Sequence, residues 1–533
     1  MTLRTADVLA RRLFDAGIRY AFGMPGGEVL TFVDALGQAG IEFVLVRHEN
    51  AGGFIAEGVH HATGAPALLV TTVGPGALNA VNVVENARQD RVPMIVVTGA
   101  IDADVAARYT HQVLDQVAVF RTITKASFTM VPGAAEALSD RAVAVATDPR
   151  PGPVHIDLPI AVAEAPAEAR PDLRRRPSLA MAPAETQALR ETLAHARRPL
   201  ILAGVDAVNG DAGSAIQTTA EALQAPVVTS YKGKGLIPED HPLSLGAAGL
   251  SPKADAILLP LVGEADVILC AGYDPIEMRS GWQDPWTPEN TTVIDIASAP
   301  NTHYMHQGQV NVVGDIAASL TAIRPDTSLS DWAPDRVADV QADLKQAFAP
   351  EPDWGPGRVI ETCRRVLPPE TRVSADSGAH RILLSQMWRC TAPRLLIQST
   401  GLCTMGCAVP LAIGAALAEP DRPAVAFSGD AGFLMVAGEL ATAADLGLRP
   451  IFFVFVDRSL ALIEMKQRQR QLPNAGVDFG SPDFAALARA MGGAGDTVRD
   501  VAQLEAALAA ALARDTFTLI AAEIDRGAYD GRI

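Results

Sequence analysis

Several broad classes are excluded by what this chain lacks. No apolar run in its 533 residues reaches the roughly 18 needed to cross a bilayer. Positive charge is in deficit: the formal net charge is −17, which argues against nucleic acid or an anionic membrane as the main partner. Cysteine is scarce, with Cys270, Cys363, Cys390, Cys403 and Cys407 alone. An odd, scattered set gives no disulfide framework, and Cys403 and Cys407 have no matching His/Cys pair for zinc. Buried free thiols in a reducing cytoplasm are the simpler reading. The opening Met1-Thr2-Leu3-Arg4-Thr5 enters a helix pattern directly, without a secretory apolar core. The middle of the chain has no Gly-x-Gly-x-x-Gly turn, so no dinucleotide site is indicated there.

What is present is a globular composition, 49% apolar and 20% charged, at a length that suits about three domains. Helical patterns alternate with short apolar runs. Strands are expected at Tyr20–Gly23, Phe43–Val46, Ala67–Thr71, Met94–Thr98 and Val154–Leu158, then at Leu200–Ala203, Pro226–Thr229, Val267–Ala271, Thr292–Ile296 and Val310–Val313. Most are continuously apolar, as in parallel sheets covered on both faces. Thr5 is expected to cap the first helix, which Gly17 ends. Residues 163–185, with Arg174-Arg175-Arg176, and the proline-rich 326–356 read as linkers. The expected fold is therefore α/β: three consecutive domains with parallel sheets, at 1–165, 186–325 and 357–525, followed by a polar tail from Arg526 that is either a lid or frayed. The outer two domains match in size, which raises duplication without proving it.

The most informative stretch is Gly429 to Asp457. Val425-Ala426-Phe427 reads as a strand running into Gly429-Asp430-Ala431-Gly432, and Ile451–Val456 as a second strand ending at Asp457. A helix-length segment between them makes a βαβ unit. Ligands of such sheets sit beyond the carboxyl ends of strands. Two aspartates there, beside small residues, suit Mg²⁺ shared with a phosphate; two helix-capping aspartates are the plain alternative.

This stretch resembles the diphosphate-binding signature of thiamine diphosphate (ThDP) enzymes, with Ala431 for the third glycine and Val456-Asp457 for an Asn-Asn close. The Val-Asp ending resembles the FAD-independent, catabolic acetolactate synthases. Arg47-His48-Glu49, continuing through Glu57-Gly58 and Thr63-Gly64, resembles the segment that supplies the cofactor-activating glutamate. By that resemblance Glu49 promotes the imino form of the aminopyrimidine, which removes the thiazolium C2 proton. The run Thr71–Asn79, with Gly74, Pro75 and Asn79, resembles the loop near the pyrimidine and substrate. His111-Gln112-x-x-Asp115-x-Val117-Ala118-x-Phe120 resembles the catabolic enzymes, and implies that Gln112, beside His111, faces the substrate. Asp376-Ser377-Gly378-Ala379-His380 implies a second diphosphate contact through Ser377, Gly378 and His380. Gly401–Gly406 implies a cofactor support, with Met405 wedged between the two rings.

Beyond Asp457, Ser459 is expected beside the metal, and Leu462 and Ile463 line the acceptor pocket. Pyruvate decarboxylases tend to carry adjacent histidines near His111 and an aspartate at Gly27; both are absent here, which favours carboligation. Gly26 is expected at the substrate. The catabolic pattern has a lysine where Glu28 stands, and a glutamine where Lys466 stands. Lys466 suits an anionic acceptor or is a helix-surface charge. The segment Ala271–Glu277 lacks the arginines of the FAD-binding relatives, so FAD is not expected. The resemblance implies a cytoplasmic ThDP- and Mg²⁺-dependent enzyme, a homodimer or homotetramer with sites between subunits. It would decarboxylate a 2-oxo acid and join the fragment to a second carbonyl, most simply making 2-acetolactate from pyruvate. The alternatives are the same chemistry on another, anionic 2-oxo acid, and a silent ThDP-binding protein.

Overall fold

The computed structural model describes residues 3–168 and 183–533, apart from residues 277, 302, 307 and 334. Arg174-Arg175-Arg176 and Glu277 lie outside the described residues. Three parallel sheets of six strands follow one another along the chain. The first runs, edge to edge, Glu42–Leu45, Tyr20–Met24, Ala67–Thr71, Met94–Ala100, Pro153–Pro159, Ala126–Thr129. The third runs Leu396–Gln398, Arg372–Ala375, Ala424–Gly429, Ile451–Val456, Thr518–Glu523, Ala494–Val498. Counted in chain order within each sheet, both read 2-1-3-4-6-5. This shared topology supports the duplication that the sequence left open. The second sheet has the different order 3-2-1-4-5-6, with Pro199–Ala203 and Val267–Ala271 at its centre.

Most of the continuously apolar runs are buried central strands, and Ile451–Val456 has no exposed residue; the run at Phe43–Val46 instead falls on the edge strand Glu42–Leu45, where Leu45 is exposed. Phe427 and Phe453, on neighbouring strands, stack with centroids 5.0 Å apart. Four edge strands, Ala126–Thr129, Ser244–Ala248, Leu396–Gln398 and Ala494–Val498, are absent from the sequence reading, and so is the central strand Thr518–Glu523. Edge strands are short and carry small or polar residues, so periodicity barely marks them.

Three expectations need correction. Arg4 holds the N-cap position of the first helix, Thr5–Asp15, where the Asp7 carboxylate accepts its backbone N–H at 2.8 Å and its guanidinium, and Thr5 is the first helical residue. The stretch 326–356 is not all linker, because Arg336–Ala347 is a helix that packs on Pro252–Glu264. The tail is neither lid nor frayed: Tyr529 is buried in the third domain's core and Ile533 packs against it, while Arg532 pairs with Glu351 at 3.2 Å.

The outer domains join through two helices, Glu49–Thr63 and Ala408–Ala418. The second is apolar throughout and almost wholly buried. Glycines let the backbones touch: a Cβ on Gly58 would lie 2.3 Å from the Leu411 carbonyl oxygen, and one on Gly414 would lie 2.0 Å from that of Ile55. Intrinsic propensity favours alanine over glycine in a helix by roughly 1 kcal/mol; the contact at Gly414 outweighs it. Gly414→Ala is therefore expected to destabilise the protein by about 1–3 kcal/mol. Gly263→Ala, in a helix with open space around it, is expected to be neutral or stabilising. Thermal unfolding of both variants checks this; a stabilised Gly414→Ala contradicts it.

Candidate active site

Three adjacent strands of the third sheet deliver acids at their carboxyl ends: Asp376 after Ala375, Asp430 after Gly429, Asp457 after Val456. Strand order reverses between the first two, which opens a crevice. Asp430 is buried, and its carboxylate accepts the N–H of Ala431 (2.9 Å) and of Arg458 (2.8 Å). It does not cap its helix, Asp430–Leu434, so the plain capping explanation fails here. The Asp457 carboxylate accepts the Ser459 N–H at 3.1 Å. Burial and the neighbouring Asp430 carboxylate push Asp457 up to about 7, and burial raises Asp430 as well. Beside them the Ser459 hydroxyl is buried without a hydrogen-bond partner. Two repelling carboxylates and an unengaged hydroxyl form a hard-oxygen set that a divalent cation would complete.

Asp376 organises the crevice, a role the sequence reading missed. Its buried carboxylate accepts the Gly406 N–H (2.6 Å) and the Ser428 hydroxyl (2.9 Å), and meets His380 Nε2 at 3.0 Å. It thereby ties the 401–406 loop to the Gly429–Gly432 turn. A Cβ on Gly432 would sit 2.1 Å from Asp376 Oδ2, so this position takes glycine for space. His380 stacks on Phe455 and has its Nε2 occupied; its Nδ1 edge lies toward Gly429, 3.6 Å from where a Cβ would be. The Ser377 N–H donates to the Thr404 carbonyl at 3.3 Å, and Gly378 precedes the helix Ala379–Met387. Met405 is half-buried and belongs to none of the apolar clusters, unlike an ordinary core methionine. Gly401 faces the first domain instead: its N–H donates to Asp90 at 2.8 Å. Leu462 packs on the third core, Ile463 is exposed, and Lys466 is exposed beside the Glu464–Arg468–Asp530 chain of ion pairs.

The first sheet supplies a second group. Glu49 is 5% exposed and opens its helix, and Asn79 Nδ2 donates to its Oε2 at 2.9 Å. Gly76 packs against the other oxygen; a Cβ there would lie 3.1 Å from Glu49 Oε1. Pro75 starts the short helix that carries Asn79. Gly74 has φ +67°, and Gln112, itself at φ +59°, packs over it. His111 is exposed, edge-on to Tyr109. Gly26 leaves room for Thr72, whose hydroxyl donates to Glu28 at 2.5 Å. A cavity of about 640 Å³ is lined by His48 and Asn50, the neighbours of Glu49 in the chain, with Asn79, Asn82 and Leu402. A larger one, about 720 Å³, lies where the three domains meet around His61, Asn209 and Arg394 and holds none of the expected site residues. The hydrogen-bond partners of Glu49 and of the Asp430–Asp457 pair stay within their own domains.

Family models for thiamine pyrophosphate enzymes match the chain three times: the N-terminal TPP binding domain at 3–119, the central domain at 186–323 and the C-terminal TPP binding domain at 376–522. A probable acetolactate synthase large subunit of Methanocaldococcus jannaschii is 31% identical, over 93% of this chain and 88% of its own. A probable 2-ketoarginine decarboxylase of Pseudomonas aeruginosa is 32% identical over 97% and 94%. A catabolic acetolactate synthase of Raoultella terrigena is 28% identical over 98% and 95%.

The Asp376 hub is testable without any ligand. Gly432→Ala displaces the carboxylate and is expected to cost roughly 1–3 kcal/mol in urea unfolding. Gly480→Ala, with open space around it, should not. An unchanged midpoint for Gly432→Ala contradicts the assignment.

Proposed function

Since the chain belongs to the thiamine diphosphate-dependent acetolactate synthase family, we propose that it makes 2-acetolactate and CO₂ from two molecules of pyruvate. The observation that carries the reading is the Asp430–Asp457–Ser459 set beside the switch point of the third sheet, with Asp430 and Ser459 buried and Asp457 half-buried. Its raised carboxyl and unpartnered hydroxyl fit Mg²⁺. Asp430, Asp457 and Ser459 hold the metal, and Gly429, Ala431, Gly432, Ser377, Gly378 and His380 accommodate a diphosphate. When bound, ThDP supplies the electron sink for decarboxylation and for carbon–carbon bond formation. Glu49, oriented by Asn79, exchanges a proton with the aminopyrimidine. Met405, outside the apolar clusters, would support the cofactor, and Gln112 would orient the substrate.

The activating carboxylate and the metal set stand on separate sheets. Exposed apolar side chains lie near each: Leu78, Val113 and Leu114 on the first domain, Leu434, Met435 and Leu472 on the third. Such a surface favours burial by a second copy, so the active unit is a homodimer or homotetramer with sites between subunits. Among the described residues no helix is long and apolar enough to cross a membrane, and we place the enzyme in the cytoplasm. We assign no FAD: at the carboxyl edge of the second sheet, Asp274 pairs with Arg91 (2.7 Å) and Asp206 with Arg150 (2.9 Å).

Pyruvate with ThDP and Mg²⁺, without FAD, is expected to yield acetolactate. Glu49→Gln should lower turnover by about 100-fold or more. Acetaldehyde as the product, or full activity of the variant, contradicts the proposal. A second reading, the same chemistry on a larger charged 2-oxo acid, draws on Lys466 standing outside the neighbouring ion pairs and on the decarboxylase relative. On that reading Lys466→Gln lowers kcat/KM for 2-oxoglutarate by roughly tenfold and leaves pyruvate unaffected; equal effects on both substrates count against it.

A further inference from the structure

Gln116 occupies a position that the family resemblance leaves unassigned, yet four buried contacts converge on it. It is 1% exposed. Its Oε1 accepts the Gly74 N–H at 2.9 Å, and its Nε2 donates to the Gly99 carbonyl at 2.9 Å and to Asp157 Oδ1 at 2.8 Å. A longer contact joins Nε2 to the Thr98 hydroxyl at 3.4 Å. The partners determine the amide's orientation: an N–H can only donate, and a carbonyl and a carboxylate can only accept. Asp157 is held in turn by Thr98, which contacts His155 Nε2 at 2.8 Å, while Ser127 meets His155 Nδ1 at 2.8 Å. This network runs under the carboxyl ends of the strands Met94–Ala100 and Pro153–Pro159 and ends at one backbone amide, that of Gly74.

Gly74 is where the loop needs holding. Its φ of +67° suits glycine and costs other residues strain. Gln112 packs directly over it, and two residues on, Gly76 packs against Glu49 Oε1. The N–H that Gln116 receives is buried, so without the side chain it would have no water to turn to, and the loop would relax away from its position.

We infer that Gln116 is a positioning residue, which locks the Gly74–Pro75–Gly76 loop so that Gln112 and Glu49 meet cofactor and substrate in register. The inference rests on the ThDP reading of this site. It requires of residue 116 one acceptor and one donor at once. A glutamate there keeps an acceptor for Gly74 but, when ionised, faces Asp157 and the Gly99 carbonyl with no proton to give. When protonated, it again offers one donor and one acceptor. The charged or titratable groups around it are Asp157, His155 behind Thr98, and Glu28, whose Cβ would approach a Cβ on Gly99 to 2.8 Å. Burial beside Asp157 disfavours the ionised form of a new carboxyl and moves its titration up toward the neutral range.

The test compares wild type, Gln116→Glu and Gln116→Met, each loaded with ThDP and Mg²⁺, between pH 5.5 and 8.5 (roughly the span over which a buried carboxyl titrates). Two quantities are read: hydrogen–deuterium exchange at C2 of the bound cofactor, and kcat with pyruvate. At the alkaline end both variants should fall by about 10–100-fold, with KM changed less than kcat. Toward the acid end Gln116→Glu should recover relative to wild type, whereas Gln116→Met should not. A glutamate variant matching wild type at all pH values overturns the inference. So does one that tracks the methionine variant throughout, since a purely structural filler predicts that. Absence of C2 exchange in the wild type would instead overturn the ThDP reading, and leave the two failures distinguishable.

Discussion

Two carboxylates that repel each other are the constraint on which this site depends. Asp430, buried, and Asp457, partly so, end neighbouring strands; burial and the neighbouring Asp430 carboxylate raise Asp457 to about 7. Folding would not retain such a pair for stability alone, because an unneutralised buried carboxylate costs free energy. The surroundings are built to tolerate it. Backbone N–H groups of Ala431, Arg458 and Ser459 turn toward the two acids. Asp376, one strand over, fastens the Gly406 and Ser428 segments around them. The deficit that remains is what the proposed divalent cation would fill.

The same logic explains why the chain repeats one topology. The outer sheets share their strand order, and each opens its crevice where that order reverses. In the third sheet the crevice carries the acids; in the first it carries Gly26, Thr72 and the Gly74 loop, with Glu49 on the adjoining strand's exit. Neither half is complete chemistry. On the proposed reading, one lacks a proton-transfer group and the other lacks an anion and metal site. The close-packed helices Glu49–Thr63 and Ala408–Ala418 hold the halves together within a chain, and the proposed second copy would bring the two kinds of site together.

Much of this was legible in the residues. Central strands appear as continuous apolar runs because both faces are covered, and Ile451–Val456 is found where the sequence places it. Asp430, Asp457 and Glu49 stand out through the motifs around them, since an acid at a strand end alone is also explained by helix capping. Edge strands such as Ala494–Val498 were not legible, since half-buried polar residues carry little periodic signal. Gln116 and Asp90 were hidden for another reason. Their work is done through hydrogen bonds to backbone amides distant in sequence, Gly74 and Gly401, and side-chain identity alone does not announce such partners. Asp376 was visible as the start of a motif, but its hub role emerges only when Gly432 and Gly406 close on it. The tail misled for want of context: polar and glycine-containing, it is nonetheless pinned by Tyr529 and Arg532.

The measurement that bears most directly on the paired carboxylates is calorimetric titration of the purified protein with ThDP, with and without Mg²⁺. The account predicts saturable binding that needs the metal and is lost in Asp457→Ala, while that variant's thermal unfolding stays at or above the wild-type temperature because the repulsion is relieved. Binding of equal strength without Mg²⁺, or undiminished in Asp457→Ala, would contradict it.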